Sequence, residues 1–275
     1  LASSINISLA QVPVFKEDIA ANIEQHLVAI EASASLGADL VVFPELSLTG
    51  YELKSVGKLA LDKEPSNFSQ LSQAASMHNI SVIVGCPLVS DDSLKPYIGA
   101  VICHSNGNIE FYDKQHLHDG EHEYCSSGSE DYFLTINGYK VALAICADFS
   151  CPEHAKRAKR SGADVYLASA LISKSGYPTD ARLLSDIAAI NGMPVLLSNH
   201  ISPTGGWSVC GNNSVWDSEG KLVASSESVE ECVVLCTITG SRVGAFKHNK
   251  LFNRDKKRMP FSASLQSMAH WFFAR

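Results

Sequence analysis

Apolar positions along this chain fall into short runs of strand length and longer segments with helical spacing. Residues 5–12 alternate with period two and predict a first strand. Asp18 is placed to cap a helix whose apolar positions Ile19, Ile23, Leu27, Ile30 and Ala34 share one face, and Gly37 ends it. Residues 40–43 are wholly apolar and run directly into Pro44 and Glu45. A second helix is predicted over 65–78, with strands over 80–85 and 98–103. Asn106-Gly107 then makes a hairpin turn into 109–112. Strands joined by tight turns are antiparallel, so the sheet is expected to be mixed.

Residues 114–130 are polar and unpatterned, a length typical of functional loops. After a turn at Gly138, the apolar run 141–145 stops at Cys146. Asp148 and Ser150 read as turn and cap residues, and Pro152 opens a helix continuing through Glu153 to Arg160. A strand over 163–168 precedes a helix over 180–191, with Leu183, Leu184, Ile187 and Ile190 inward and Gly192 at its end. Strands over 194–198, 213–216, 222–224 and 232–238 complete the pattern. Strand, helix and buried strand in succession indicate an α/β or α+β layered fold. The two halves share strand–helix–strand units but no residue-level repeat.

The chain has 275 residues, 45% of them hydrophobic, enough for one large core, and no Pro/Gly/Ser-rich linker divides it. A single domain over 1–275 is expected, with its core at about 3–240 and a C-terminal extension over 241–275. The formal charge of −7 argues against nucleic acid or an anionic membrane as partner. No apolar run approaches the roughly 20 residues that cross a bilayer. The chain starts at Leu1 rather than Met, which suits a trimmed start, and no basic region precedes the strand-like residues 3–12, so no signal peptide is read.

Eight cysteines are present, and no two form a CxxC pair. Reduced core thiols and a cytoplasmic setting are expected. Residues 242–258 hold seven Lys/Arg against one Asp and read as a solvated or partner-facing tail. Trp271-Phe272-Phe273 is too apolar for water and is expected to dock on this chain or a second copy.

Three chemically useful groups follow apolar strands: Glu45 after 40–43, Lys114 after 109–112 and Cys146 after 141–145. Each alone is an ordinary strand-end or core residue. Brought to one rim they form a complete set: a thiol nucleophile, a carboxylate that takes its proton and later activates water, and an ammonium that stabilises an oxyanion.

The motifs around them resemble the nitrilase, or carbon–nitrogen hydrolase, superfamily. Phe43-Pro-Glu-Leu-Ser-Leu-Thr-Gly-Tyr51 is similar to its base segment, Tyr112-Asp-Lys-Gln-His-Leu117 to its lysine segment and Cys146-Ala-Asp-Phe-Ser-Cys-Pro-Glu153 to its nucleophile segment. Gly162-Ala-Asp-Val, Asn191-Gly-Met-Pro-Val and the stretch from Gly211 to Gly220 resemble later blocks. The resemblance implies a four-layer α-β-β-α sandwich with two mixed sheets, a Glu45–Lys114–Cys146 triad and hydrolysis of a small non-peptide amide or N-carbamoyl compound through a thioester. It implies neither a metal nor an organic cofactor, and it implies a homodimer or higher homo-oligomer, with the extension 241–275 expected at the interface.

A second family glutamate is expected at Glu121, seven residues before Gly128, with Glu123 as the competitor. Tyr51, Ala147, Phe149 and Leu171 are expected at the substrate pocket, and Ala147 is expected to donate its N–H to the oxyanion. Ala147-Asp148 replaces the Trp-Glu that nitrilases carry after the cysteine, and no Arg follows Asp148. The pattern therefore looks more like amidases and carbamoylases, with nitrile hydrolysis the alternative.

Other readings stand beside this one. His116, His118 and His122 with nearby acids resemble metal ligands without a defined set. Cys146 and Cys151 could serve a redox-sensing thiol protein. The fold could also carry a non-catalytic binding protein. His154 and His200 read as ordinary polar residues.

Overall fold

The computed structural model describes residues 3–249. Its strands are β1 (Ser4–Gln11), β2 (Leu40–Val42), β3 (Ser81–Leu88), β4 (Tyr97–Cys103), β5 (Ile109–Asp113), β6 (Tyr132–Ile136), β7 (Tyr139–Ile145), β8 (Val165–Ala170), β9 (Val195–Asn199), β10 (Ser214–Trp216), β11 (Leu222–Ser225), β12 (Cys232–Thr239) and β13 (Arg242–His248). The α-helices are α1 (Ile19–Ser35), α2 (Val56–Leu59), α3 (Ser69–Met77), α4 (Pro152–Arg160) and α5 (Tyr177–Asn191).

Two mixed sheets result. The first has the order β13-β12-β1-β2-β3-β4-β5, the second β11-β10-β9-β8-β7-β6. The centre of each is parallel, β1 with β2 and β3 in the first and β7 with β8 and β9 in the second, while the flanks are antiparallel. Alternation along the strands fixes the layers. Leu40 and Val42 of β2 face Val141, Leu143, Leu167 and Leu196 between the sheets, whereas Val41 and Phe43 pack under α1 and α3 with Ile30 and Leu71. Ala144, Tyr166 and Leu184 fill the opposite layer beneath α4 and α5. The architecture is the expected α-β-β-α sandwich.

The buried face of α1 differs from the apolar stripe read in the sequence. Asn22, His26, Ala29, Ile30 and Ser33 are buried, while Ile23, Leu27 and Ala34 are only partly covered. The polar residues are tolerated because each finds a partner: Asn22 Nδ2 donates to the carbonyls of Phe15 and Leu48, and the Ser33 and Ser8 hydroxyls share a bond. Ile190, expected inward, is exposed, and Ala188 takes the inward place beside Leu184 and Ile187.

Strand β6 was not legible before the Gly138 turn. It pairs with β7 through Asn137-Gly138, both with positive φ (51° and 85°), as a two-residue hairpin requires. The start of the basic segment is no tail: Arg242–His248 forms β13 at a sheet edge, paired with β12. The rest of that segment and Trp271-Phe272-Phe273 lie outside the described residues. Among the described residues no helix is long and apolar enough to cross a membrane.

The carboxyl ends of β2, β8 and β9 meet across the two sheets. Ser169 Oγ donates to the Phe43 carbonyl and Ser198 Oγ to that of Val42. Gly85 in β3 allows the chain after β2 to turn there. A Cβ at Gly85 would lie 2.1 Å from the Leu46 nitrogen and 2.6 Å from the Pro44 oxygen. Gly85→Ala is therefore expected to destabilise the fold by about 3 kcal/mol through overpacking against backbone. Gly57→Ala, which meets nothing within 4 Å, should be neutral or slightly stabilising. Chemical denaturation of the two variants checks this, and equal midpoints would contradict it.

Candidate active site

Glu45 emerges directly after β2 on a sharply bent segment, where Leu46 adopts a left-handed φ of 50°. Such a backbone is uncommon for leucine and persists only where surroundings impose it. Here the Ser47 hydroxyl accepts from the Gly85 N–H and bonds His26 Nε2, while His26 Nδ1 donates to the Asn22 carbonyl. These partners fix the imidazole tautomer, and burial lowers its pKa to about 4, so it stays neutral.

Lys114 ends the loop side of β5. Its N–H donates to the Ile98 carbonyl, and its own carbonyl accepts from Gly128, which closes the loop behind it. That closure needs glycine, because a Cβ at Gly128 would lie 2.4 Å from the Asp113 oxygen. Within the closed loop a single 3-10 turn, Glu121–Glu123, points Glu121 inward and leaves Glu123 exposed.

The Lys114 ammonium, fully buried, lies 2.7 Å from Glu45 Oε1 and 2.8 Å from both oxygens of Glu121. The two carboxylates are not equivalent. Glu121 also accepts from the Tyr51 hydroxyl and the His118 N–H, so both its oxygens are held. Glu45 accepts from Lys114 through Oε1, and its Oε2 is buried without a hydrogen-bond partner.

The electrostatics follow from this. Burial, partly opposed by Lys114 and reinforced by Glu121, raises the Glu45 pKa to about 7. Burial alone would lower the Lys114 pKa, but the carboxylates of Glu45 and Glu121 reverse that and leave it above the ordinary lysine value.

Cys146 follows β7 with a left-handed φ of 44° and sits half-buried, its thiol 3.7 Å from the Leu171 carbonyl. It is close enough to interact with Glu45, Lys114 and Glu121. Burial and the Glu45 charge push its pKa well up, against the pull of Lys114, so the resting group is a thiol.

Tyr51 is brought to this cluster through Glu121, its N–H anchored by the Thr204 hydroxyl. Leu171 arrives through its carbonyl, and Ala147 lies in the turn next to Cys146. Phe149, expected at the pocket, packs with Ala155, Ala158 and Tyr166 in the core under α4 and α5, a cluster that Cys146 also borders. The backbone groups of the polar loop's histidines are tied to three different residues. His116 gives its N–H to Asp148 and His118 gives its N–H to Glu121, while the His122 carbonyl accepts from Lys95.

Asp148, read as a turn residue, is the fastener between the lysine and cysteine segments. Fully buried, it accepts from the N–H groups of Ile145, Gln115 and His116 and from the Tyr112 hydroxyl. The Tyr112 oxygen faces His154 Nε2, and His154 Nδ1 meets the Tyr166 hydroxyl, so a chain of donors ends on this one carboxylate. A carboxylate two residues after a strand-end cysteine was the available signal, but apart from Ile145 its partners lie more than thirty residues away.

The carbon-nitrogen hydrolase family model matches residues 6–248. The chain is 26% identical to the "Hydrolase in pqqF 5'region" of Pseudomonas protegens, over 92% of this chain and 90% of that one. It is 35% identical to the 2-oxoglutaramate amidase of Bacillus subtilis, over 48% of this chain and 52% of that one. Among solved structures it is similar to a variant of the amidase from Nesterenkonia sp. AN1 showing covalent addition of the acetamide moiety of fluoroacetamide at the active site cysteine. The TM-score there is 0.78 at 21% identity, covering 98% of this chain and 99% of that one.

Removing the Asp148 carboxylate strands three N–H donors, that of Ile145 buried and those of Gln115 and His116 part-buried. Asp148→Ala is expected to destabilise by about 3–5 kcal/mol, against about 1 kcal/mol for Tyr112→Phe, which leaves those donors served. Urea denaturation separates the two, and similar losses would contradict the assignment.

Proposed function

The chain belongs to the carbon–nitrogen hydrolase family, and we propose that it hydrolyses a small amide or N-carbamoyl compound through a thioester on Cys146. One observation carries this reading: a buried ammonium shared by a fully held carboxylate and a half-free one, beside a thiol.

Glu45 acts as the base. Its pKa near 7 balances the carboxylate form against proton affinity at neutral pH, the optimum for a group that must accept and return a proton. As the Cys146 sulfur attacks the carbonyl carbon, its proton passes to Glu45. The oxyanion forms against Lys114 and the Ala147 N–H, where each donor contributes roughly 3 kcal/mol in the transition state. Glu45 protonates the departing ammonia or amine, then takes a proton from water as it attacks the thioester and frees the acid. Glu121 keeps Lys114 charged and aimed, and with Tyr51 it borders the substrate.

Amides are favoured over nitriles by Ala147-Asp148 after the nucleophile and by the 2-oxoglutaramate amidase among the relatives. All eight cysteines are free, which supports a reducing, cytoplasmic setting.

Ammonia release across ω-amides, carbamoyl amino acids and nitriles tests the substrate class. Turnover is expected for amides or carbamoyl compounds, and turnover confined to nitriles would replace this reading. Cys146→Ala should abolish activity, and Glu45→Gln should reduce kcat by about 100-fold or more.

The sign of the pH dependence follows from Glu45. Below about pH 7 its carboxyl is protonated and cannot accept the thiol proton. Therefore kcat/KM should rise about tenfold per unit up to about pH 7 and then level. A profile flat across the acid range would exclude Glu45 as the base.

A further inference from the structure

The space between the sheets is apolar along most of its length, but not where β2 ends. There, side chains of the second sheet and its following loops donate to backbone carbonyls of the first. Asn213 Nδ2 donates to Leu9, Ser198 Oγ to Val42, Ser169 Oγ to Phe43 and His200 Nε2 to Glu45, the last at 2.6 Å. All four donors are essentially without solvent contact. The acceptors at Val42, Phe43 and Glu45 lead along the chain to the proposed base.

We propose that His200 is a positioning residue for Glu45: its imidazole N–H fixes the Glu45 carbonyl and so aims the carboxylate between Lys114 and Cys146. The inference rests on Glu45 being the base. The local turn bonds bypass this carbonyl, since Ser47 donates to Pro44, Gly50 to Leu46 and Leu48 to Gly85. The next residue, Leu46, is left-handed, so the backbone needs an outside hold at that point.

The acceptor is a carbonyl, which requires the proton on Nε2. That leaves His200 Nδ1 as a buried acceptor with no partner. An orphaned acceptor destabilises the fold, and a residue serving packing alone would be better replaced by an apolar one. Histidine at this position is thus explained by the bond it donates. Burial holds the ring neutral, its pKa lowered to about 4, so the hold is unchanged across the working range.

The side-chain amide nitrogen of glutamine reaches about as far as Nε2, that of asparagine only as far as Nδ1, and leucine has no donor. On the amide turned over fastest in the panel above, His200→Gln should keep kcat within about threefold of wild type. His200→Asn and His200→Leu should lose about 10- to 100-fold in kcat with KM changed less than about threefold, as expected when a base is misplaced and binding is retained. Denaturation midpoints are read alongside. Loss of stability without loss of kcat in His200→Leu or His200→Asn would overturn the inference, as would His200→Gln falling as far as either. If His200→Leu does not fold, the Gln and Asn variants decide alone. Glu45→Gln run in parallel separates the two claims. Full activity there removes the base itself, whereas an inactive Glu45→Gln beside a normal His200→Leu removes only this role for His200.

Discussion

A lysine ammonium buried between two carboxylates is the constraint on which this molecule is built. An ion taken out of water is strongly unfavourable unless partners surround it at hydrogen-bond distance, and Lys114 is fully buried with Glu45 and Glu121 against it. Burial, reinforced by the second carboxylate and only partly offset by the ammonium, raises the pKa of Glu45, the carboxylate with fewer donors. The sign for stability is unusual for a carboxylate beside a lysine. The folded protein holds a proton on Glu45 that the unfolded chain releases, so this group's contribution declines as pH rises from 4.5 towards 7.

Holding three segments to that geometry shapes what lies around them. Leu46 and Cys146 both take left-handed backbones without being glycine, one after the carboxylate and one at the thiol. Each is held by polar groups beneath it. The His26–Ser47–Gly85 chain and His200 brace the Glu45 segment, and Asp148 ties the Cys146 turn to the residues after Lys114. The two sheets bring the parts close, and the buried polar networks set the final ångström.

Most of the layered fold was legible because strands and helices announce themselves through local period. The three groups of the site were legible because each follows an apolar run within a recognisable motif. What escaped depends on distant partners. The polar face of α1 looks like a solvent face until Leu48, Ser47 and Ser8 are placed against it. Strand β13 hides in a basic segment because an edge strand exposes half its side chains. Asp148 reads as a turn residue and His200 as an ordinary polar one, since three of the four Asp148 donors and the acceptor of His200 lie more than thirty residues away in the chain.

In the proposed reaction Cys146 forms a bond to substrate carbon while Glu45 handles the protons. The most direct measurement is intact mass of the protein quenched during turnover of a small amide, with peptide mapping of any added mass. An acyl increment is expected on Cys146 and is absent from Cys146→Ala. Ammonia release that persists in Cys146→Ala, with no acylated species at any time, would contradict it.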